Sequence, residues 1–141
     1  MTENAAKAPT LWKKARGPIV ASPRMVELAE AINAHLLAPI GVLPNSTERP
    51  VLPFAIGISA EIEARIKPGD SMDDLKIAIR KYVRHRTYLL AMGQPNSTRH
   101  DIDGNPVEPV SEENRQTAIT TYTRIQAANE KRRKAQEQAA A

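Results

Sequence analysis

SMDDLKIAIRKYVRHRTYLL, residues 71–90, is the stretch on which the reading of this chain turns. Ser71 followed by Asp74 resembles a capping box with Asp in place of Glu, and it opens the longest helical pattern of the chain. Leu75, Ile79, Tyr82, Val83, Arg86, Leu89 and Leu90 fall largely on one side, with the Arg86 stem able to run along the edge of that apolar face. The neighbouring side carries Lys76, Arg80, Arg84 and Tyr88, each four residues from the last, so the side chains stack along one face. From Lys76 to Tyr88 a continuous helix rises about 18 Å, enough to run beside roughly five phosphates of one nucleic-acid strand. Three cations on such a track neutralise backbone charge, and Tyr88 offers an aromatic surface to a base or sugar. A solvated helix face with Tyr88 at the domain edge fits the same periodicity equally well.

Charge is distributed in a way that favours the first reading. Residues 1–24 carry a net +4, residues 25–110 a net −2 and residues 111–141 a net +2. Inside the acidic middle, residues 75–100 nevertheless hold Lys76, Arg80, Lys81, Arg84, Arg86 and Arg99 with no Asp or Glu. A local positive field survives there and points to a polyanionic partner.

Outward from this segment, one domain of about 100 residues with two tails is expected. Residues 1–22 read as a flexible basic arm, too poor in apolar periodicity to fold alone. Ser22-Pro23 supplies a cap and a first-turn proline for a helix near 23–37 bearing Met25, Leu28, Ala29, Ile32 and Leu36. Pro39, Pro44, Pro50 and Pro53 make the next stretch a connection. Ser59 caps a short predicted helix over 60–67, which Pro68-Gly69 ends. After Gly93 and Pro95, Thr98–Ile102 and Pro106–Val110 flank Asp103-Gly104-Asn105, good turn chemistry for a β-hairpin. Arg99 and Asp101 then share a strand face, so Asp101 can hold the guanidinium toward a phosphate; the simpler reading is a surface ion pair. A last helix begins at Ser111, with Ile119, Tyr122 and Ile125 turned inward. Residues 128–141 fade into a frayed basic tail around Lys131-Arg132-Arg133-Lys134. The domain proper spans 23–127, mainly α with a short hairpin.

Several chemistries are excluded or unsupported. The absence of cysteine removes disulfides, thiolate catalysis and sulfur-ligated zinc. No run of about 18 apolar residues occurs, and the N-terminal stretch lacks a signal-peptide core. His35, His85 and His100 show no metal-ligand spacing, and His35 lies on a helix without a second ligand nearby. Asp73-Asp74 and Glu112-Glu113 stand at helix starts, where capping and dipole effects account for them. No catalytic residue, metal or cofactor is assigned, and no enzyme is expected.

Three further segments carry a family resemblance. Pro53-Phe54-Ala55-Ile56-Gly57-Ile58, Tyr88-Leu89-Leu90-Ala91-Met92 and Arg99-His100-Asp101-Ile102-Asp103-Gly104-Asn105 resemble, in order and approximate spacing, the FinO/ProQ domain, over roughly residues 24–127. The resemblance implies a mostly helical domain with a small hairpin, acting as an RNA chaperone or small-RNA binder in the bacterial cytoplasm. It implies recognition of the base of a terminator-type stem-loop and its single-stranded 3′ tail, in support of small-RNA stability or RNA–RNA pairing. Tyr88 and Arg99 match the family's characteristic RNA-contacting residues, Lys76 and Arg80 match basic positions on the same helix, and Asp101 matches a hairpin aspartate that orients neighbours. Met72 and Thr87 replace basic residues that some members carry. Trp12-Lys13-Lys14 is similar in kind to the basic, tryptophan-bearing extension linked to strand exchange in the FinO-like subgroup.

The expectation is thus an RNA-binding, monomeric protein using Lys76, Arg80, Arg84, Tyr88 and Arg99, with Lys81, Arg86, Ser97 and Thr98 as secondary candidates. Losing Tyr88 should weaken binding and leave the fold intact. The alternatives are a DNA-binding regulator using the same helix, an adaptor for an acidic protein and, more distantly, a ribonuclease using His85 or His100.

Overall fold

Within residues 10–140, the part described by the computed structural model, the element order is α1 Pro23–Asn33, α2 Ile58–Glu63, α3 Met72–Arg84, α4 Arg86–Gly93, β1 Thr98–His100, β2 Pro106–Pro109 and α5 Glu112–Ala140. The mainly helical architecture with one small hairpin agrees with the sequence reading. None of the described helices is long and apolar enough to cross a membrane.

Capping residues set two of the helix starts as expected. The Ser22 hydroxyl accepts from the Met25 amide at 3.2 Å, and the Ser71 hydroxyl accepts from the Asp74 amide at 3.2 Å, each satisfying a donor that a helix start leaves free. The buried faces of α1 (Met25, Leu28, Ala29, Ile32) and α3 (Leu75, Ala78, Ile79, Tyr82) form the centre of the core. Leu36, Ile40, Val42 and Leu43 join that core, so the proline-rich connection is ordered by aliphatic burial together with a few backbone hydrogen bonds to neighbouring segments.

Five boundaries differ from expectation, each for a local reason. The first helix stops at Asn33 instead of 37, because the Asn33 side chain accepts from the Ile40 amide at 3.2 Å and Leu36 pairs with Ile66. The second starts at Ile58 from Gly57, whose φ of 85° suits glycine, so Ser59 is not its cap. The expected single helix over 71–90 is two helices, since His85 adopts an extended ψ of 143°. The His85 Nδ1 accepts from the Thr87 amide at 3.2 Å and caps α4, compensating for the interrupted backbone ladder. The longest helix is instead α5, which continues through the expected frayed tail to Ala140; there Arg133 bonds Glu130 and Glu137 at helical spacing, in an alanine-rich context. The hairpin strands are shorter than expected, with an irregularity beyond Arg99↔Glu108 that pairs His100 with Pro106 and skips Val107.

The segment expected as a mobile arm is seated on the domain over residues 12–21; residues 1–9 lie outside the described residues. Val51 N donates to Ile19 O at 2.7 Å and Ala21 N to Arg49 O at 2.9 Å. Trp12 meets Tyr122 edge-on at 5.6 Å, and its carbonyl accepts from Arg115 Nη2 at 2.7 Å. Arg115, only 8% exposed, also donates from Nε to Gly93 O at 3.1 Å, and the Arg16 amide donates to Gln94 Oε1 at 3.0 Å. A buried guanidinium needs acceptors, and the arm supplies one of them.

The hairpin is fixed from two sides. His100 N donates to Pro53 O at 2.8 Å and Ala55 N to His100 O at 2.9 Å, so the free edge of β1 pairs with the 53–55 segment. At the tip, Val42 N donates to Ile102 O at 3.1 Å, and a Cβ on Gly41 would stand 2.4 Å from the Asp103 carbonyl oxygen. Only glycine fits that approach.

Candidate nucleic-acid interface

Because α3 buries the face bearing Leu75, Ile79 and Tyr82, it turns Lys76, Arg80 and Arg84 outward. With Ser59 and Glu63 of α2 these three cations line an open groove of ≈ 450 Å³, floored by Ile79 and Val83. Among the described residues, none of the three makes an ion pair. From Lys76 to Arg84 the helix rises about 12 Å, the axial run of three or four phosphates on one strand. That is shorter than the expected track to Tyr88, because the break at His85 intervenes.

A second pocket of ≈ 240 Å³ lies between α4, β1 and the start of α5, lined by Val83, Tyr88, Met92, Arg99, Asn114 and Thr117 among others. Val83 borders both cavities, so the cation groove and the pocket that holds Arg99 are neighbours. Lys76, Arg80 and Arg84 thus line the groove, and Tyr88 and Arg99 line the pocket beside it.

Tyr88 is placed differently from the open aromatic surface that was expected. It is 5% exposed, edge-on to Phe54 at 5.5 Å and to Tyr82 at 5.6 Å, while Phe54 and Tyr82 stack at 5.3 Å. Its hydroxyl accepts from the Phe54 amide at 2.8 Å, and burial pushes the phenol up to about 12. In this conformation the ring is a wall of the pocket and a member of the core, not a free stacking platform.

Arg99 is held by Phe54 as well, donating from Nη1 to its carbonyl at 2.8 Å. One of the five guanidinium donors is thereby used and the others remain. The backbone amide and carbonyl of Phe54 thus end on the two pocket residues. Asp101 does not touch Arg99. It lies past the end of β1, in the turn, where its Oδ1 accepts from the amides of Asp103 at 3.0 Å and Asn105 at 2.9 Å. Those bonds, Asn105 first, hold its carboxyl below the usual carboxylate range. The expectation that Asp101 orients Arg99 directly is corrected: it organises the turn, and the Phe54 carbonyl holds the arginine.

The secondary candidates are dispersed. Lys81 and Arg86 are exposed but line neither cavity. Ser97 and Thr98 line a different depression, beside Gly17, Pro18 and Pro53; the Ser97 hydroxyl donates to Met92 O at 2.7 Å. Strand alternation explains the split, since Thr98 and His100 face that side while Arg99 faces the pocket. Lys13 and Lys14 are exposed beside the half-buried Trp12.

The histidines are not assembled into one site. His85 caps α4, and burial first, then Arg86 and Arg24, lower its pKa. His35, expected on a helix without a partner, sits beyond the end of α1 with its Nδ1 2.8 Å from Asp70 Oδ1. Among the described residues no group of three or more His, Asp or Glu side chains converges as a metal site. Phe54, Glu63 and Arg115 were not singled out from the sequence as site residues, and Val83 was read only as part of the apolar face of its helix. Phe54 had a signal as part of the first resembling segment, but its role runs through its backbone.

A sequence model of the ProQ/FINO family matches residues 30–135. Among solved structures, the chain is similar to the NMR solution structure of a ProQ homolog from Legionella pneumophila, with a TM-score of 0.51 and 19% identity over 82% of this chain and 91% of that chain. This likeness shows the shared fold. No curated protein matches the sequence. With the family pattern spanning the groove, the pocket and the hairpin, the chain belongs to the ProQ/FINO family of non-enzymatic RNA-binding chaperones.

Proposed function

We propose that this protein binds the base of terminator-type RNA stem-loops together with their single-stranded 3′ tails, and so supports small-RNA stability or RNA–RNA pairing. The observation that carries the reading is the adjacency at Val83: a groove lined by three cations, none of which makes an ion pair among the described residues, lies beside a pocket lined by a fourth. Lys76, Arg80 and Arg84 lie against phosphates at the foot of the stem. Arg99 takes a phosphate of the tail, and Tyr88 shapes the wall against which the terminal nucleotides rest. Specificity then comes from RNA shape and a free end, because side chains cannot read the deep A-form major groove. The protein works without catalysis or cofactor, as a monomer in the bacterial cytoplasm. The basic ends, Trp12-Lys13-Lys14 and Lys131–Lys134, add sequence-independent attraction.

Competition between a hairpin RNA with a free 3′ tail, the same hairpin without its tail, and duplex DNA of equal length tests the reading. The tailed RNA is expected to win. With about four phosphates neutralised, the log–log salt slope should fall near −3 to −4, and Lys76→Ala should reduce it by about 1. A preference for duplex DNA, or a flat salt response, would overturn the proposal. Copurifying protein that stays bound after ribonuclease treatment, with no RNA released, would favour the acidic-protein adaptor instead.

A further inference from the structure

One wall of the cation groove is not basic. Glu63 at the end of α2 lines the same cavity as Lys76, Arg80 and Arg84, with Ser59 one turn before it on the same wall. Among the described residues its carboxylate makes no ion pair and no hydrogen bond, although three cations line the groove with it. It is only partly exposed, and it is not a capping or core group. A carboxylate beside a phosphate track is costly by Coulomb repulsion unless the occupant brings a donor to it. It cannot be met by another phosphate. In a ribose-phosphate chain the group placed beside each phosphate and able to donate is the 2′-hydroxyl, which deoxyribose lacks.

Resting on the RNA-binding reading above, we infer that Glu63 is a specificity-determining residue: its carboxylate, supported by Ser59, accepts a ribose 2′-hydroxyl in the groove and rejects DNA. The cations attract any polyanion along α3, and the acidic wall converts that attraction into a sugar preference. With RNA seated, the hydroxyl donor offsets the repulsion from the neighbouring phosphate. With DNA seated, the repulsion stands uncompensated.

The test measures affinities of the full chain for a tailed RNA hairpin, the all-DNA hairpin of the same sequence, and an RNA hairpin made 2′-deoxy only at the base of its stem. Wild type should prefer RNA to DNA, and stem-base deoxy substitution should reproduce part of the loss. Glu63→Ala should narrow the RNA-to-DNA ratio about fivefold, mainly by tighter DNA binding, as expected for losing one charged acceptor in an open groove. Glu63→Gln, which keeps an acceptor oxygen, should fall between the two. Because the carboxylate bonds nothing among the described residues, both variants should melt like wild type. An unchanged ratio in Glu63→Ala, with Lys76→Ala still weakening RNA binding, would overturn this inference and leave the RNA-binding reading standing. RNA binding indifferent to Lys76→Ala would remove the reading and this inference together.

Discussion

The groove and the pocket adjoin each other but hold their functional groups in opposite ways. Among the described residues Lys76, Arg80 and Arg84 have no ion-pair partner, whereas Arg99, Tyr88 and Arg115 are bonded to main-chain groups of Phe54, Gly93 and Trp12. Free cations supply field and adapt to a ligand at the cost of ordering their side chains on binding. Bonded groups are positioned in advance, and substituting them disturbs the fold as well as the site. Effects on binding and on stability should therefore separate along the boundary at Val83.

The largest expected effect breaks the bonded side. Tyr88→Ala should destabilise the domain by about 3–5 kcal/mol in urea denaturation, as truncation of a buried aromatic does. This revises the expectation from sequence that the substitution spares the fold. Tyr88→Phe, which leaves the buried Phe54 amide without its acceptor, should cost about 1–3 kcal/mol. A Tyr88→Ala protein as stable as wild type would mean that the ring does not belong to the core.

A smaller effect is expected from Arg115→Met, about 2 kcal/mol, because two carbonyls lose a charged donor. Trp12 is the sole tryptophan, so its emission should shift to the red as the N-terminal segment leaves Tyr122. Arg80→Met, the counterpart on the free side, should stay within about 0.5 kcal/mol of wild type. Equal losses in the two variants would erase the distinction.

The smallest effect lies at the joint between the two regions. His85 caps α4 as an acceptor, and its pKa in the folded protein is lowered by burial, with Arg86 and Arg24 adding to it. The unfolded chain therefore takes up the proton first. The stability involved is present above the ordinary histidine range, near 6.5, and is lost as pH falls through the lower folded value. His85→Asn keeps an acceptor cap without titrating, so its stability should change less than that of wild type between about pH 7.5 and 5.5. Parallel pH profiles for the two proteins would show that this cap is not the titrating element.

How much of this was legible in the sequence depends on whether a feature was encoded locally. Ser71 and Asp74 announced the start of α3, Asp103-Gly104-Asn105 announced the hairpin, and the four-residue spacing of Lys76, Arg80 and Arg84 gave the groove its cations. The burial of Tyr88 was not legible. The period of four continues unbroken from 76 to 88, and histidine is not among the residues that usually signal a cap, so nothing marked the turn at His85 that swings the following face inward. The partner of Arg99 was missed because alternation was extended to Asp101, beyond the point where the strand gives way to the turn. Arg115 was hidden by its type, since arginine ordinarily reads as surface, and its acceptors lie 22 and 103 residues away.

Gly41 has a consequence for how the protein reaches its native state. Its contact with the Asp103 carbonyl joins two parts of the chain separated by most of the domain, and contacts of that range close late in folding. Until the hairpin has emerged, the proline-rich loop lacks its anchor at Gly41, and until that part of the loop is in place the tip of the hairpin lacks its counterpart. The strand carrying Arg99 should thus be among the last elements to settle, so a nascent or partly folded chain would lack its RNA-holding pocket.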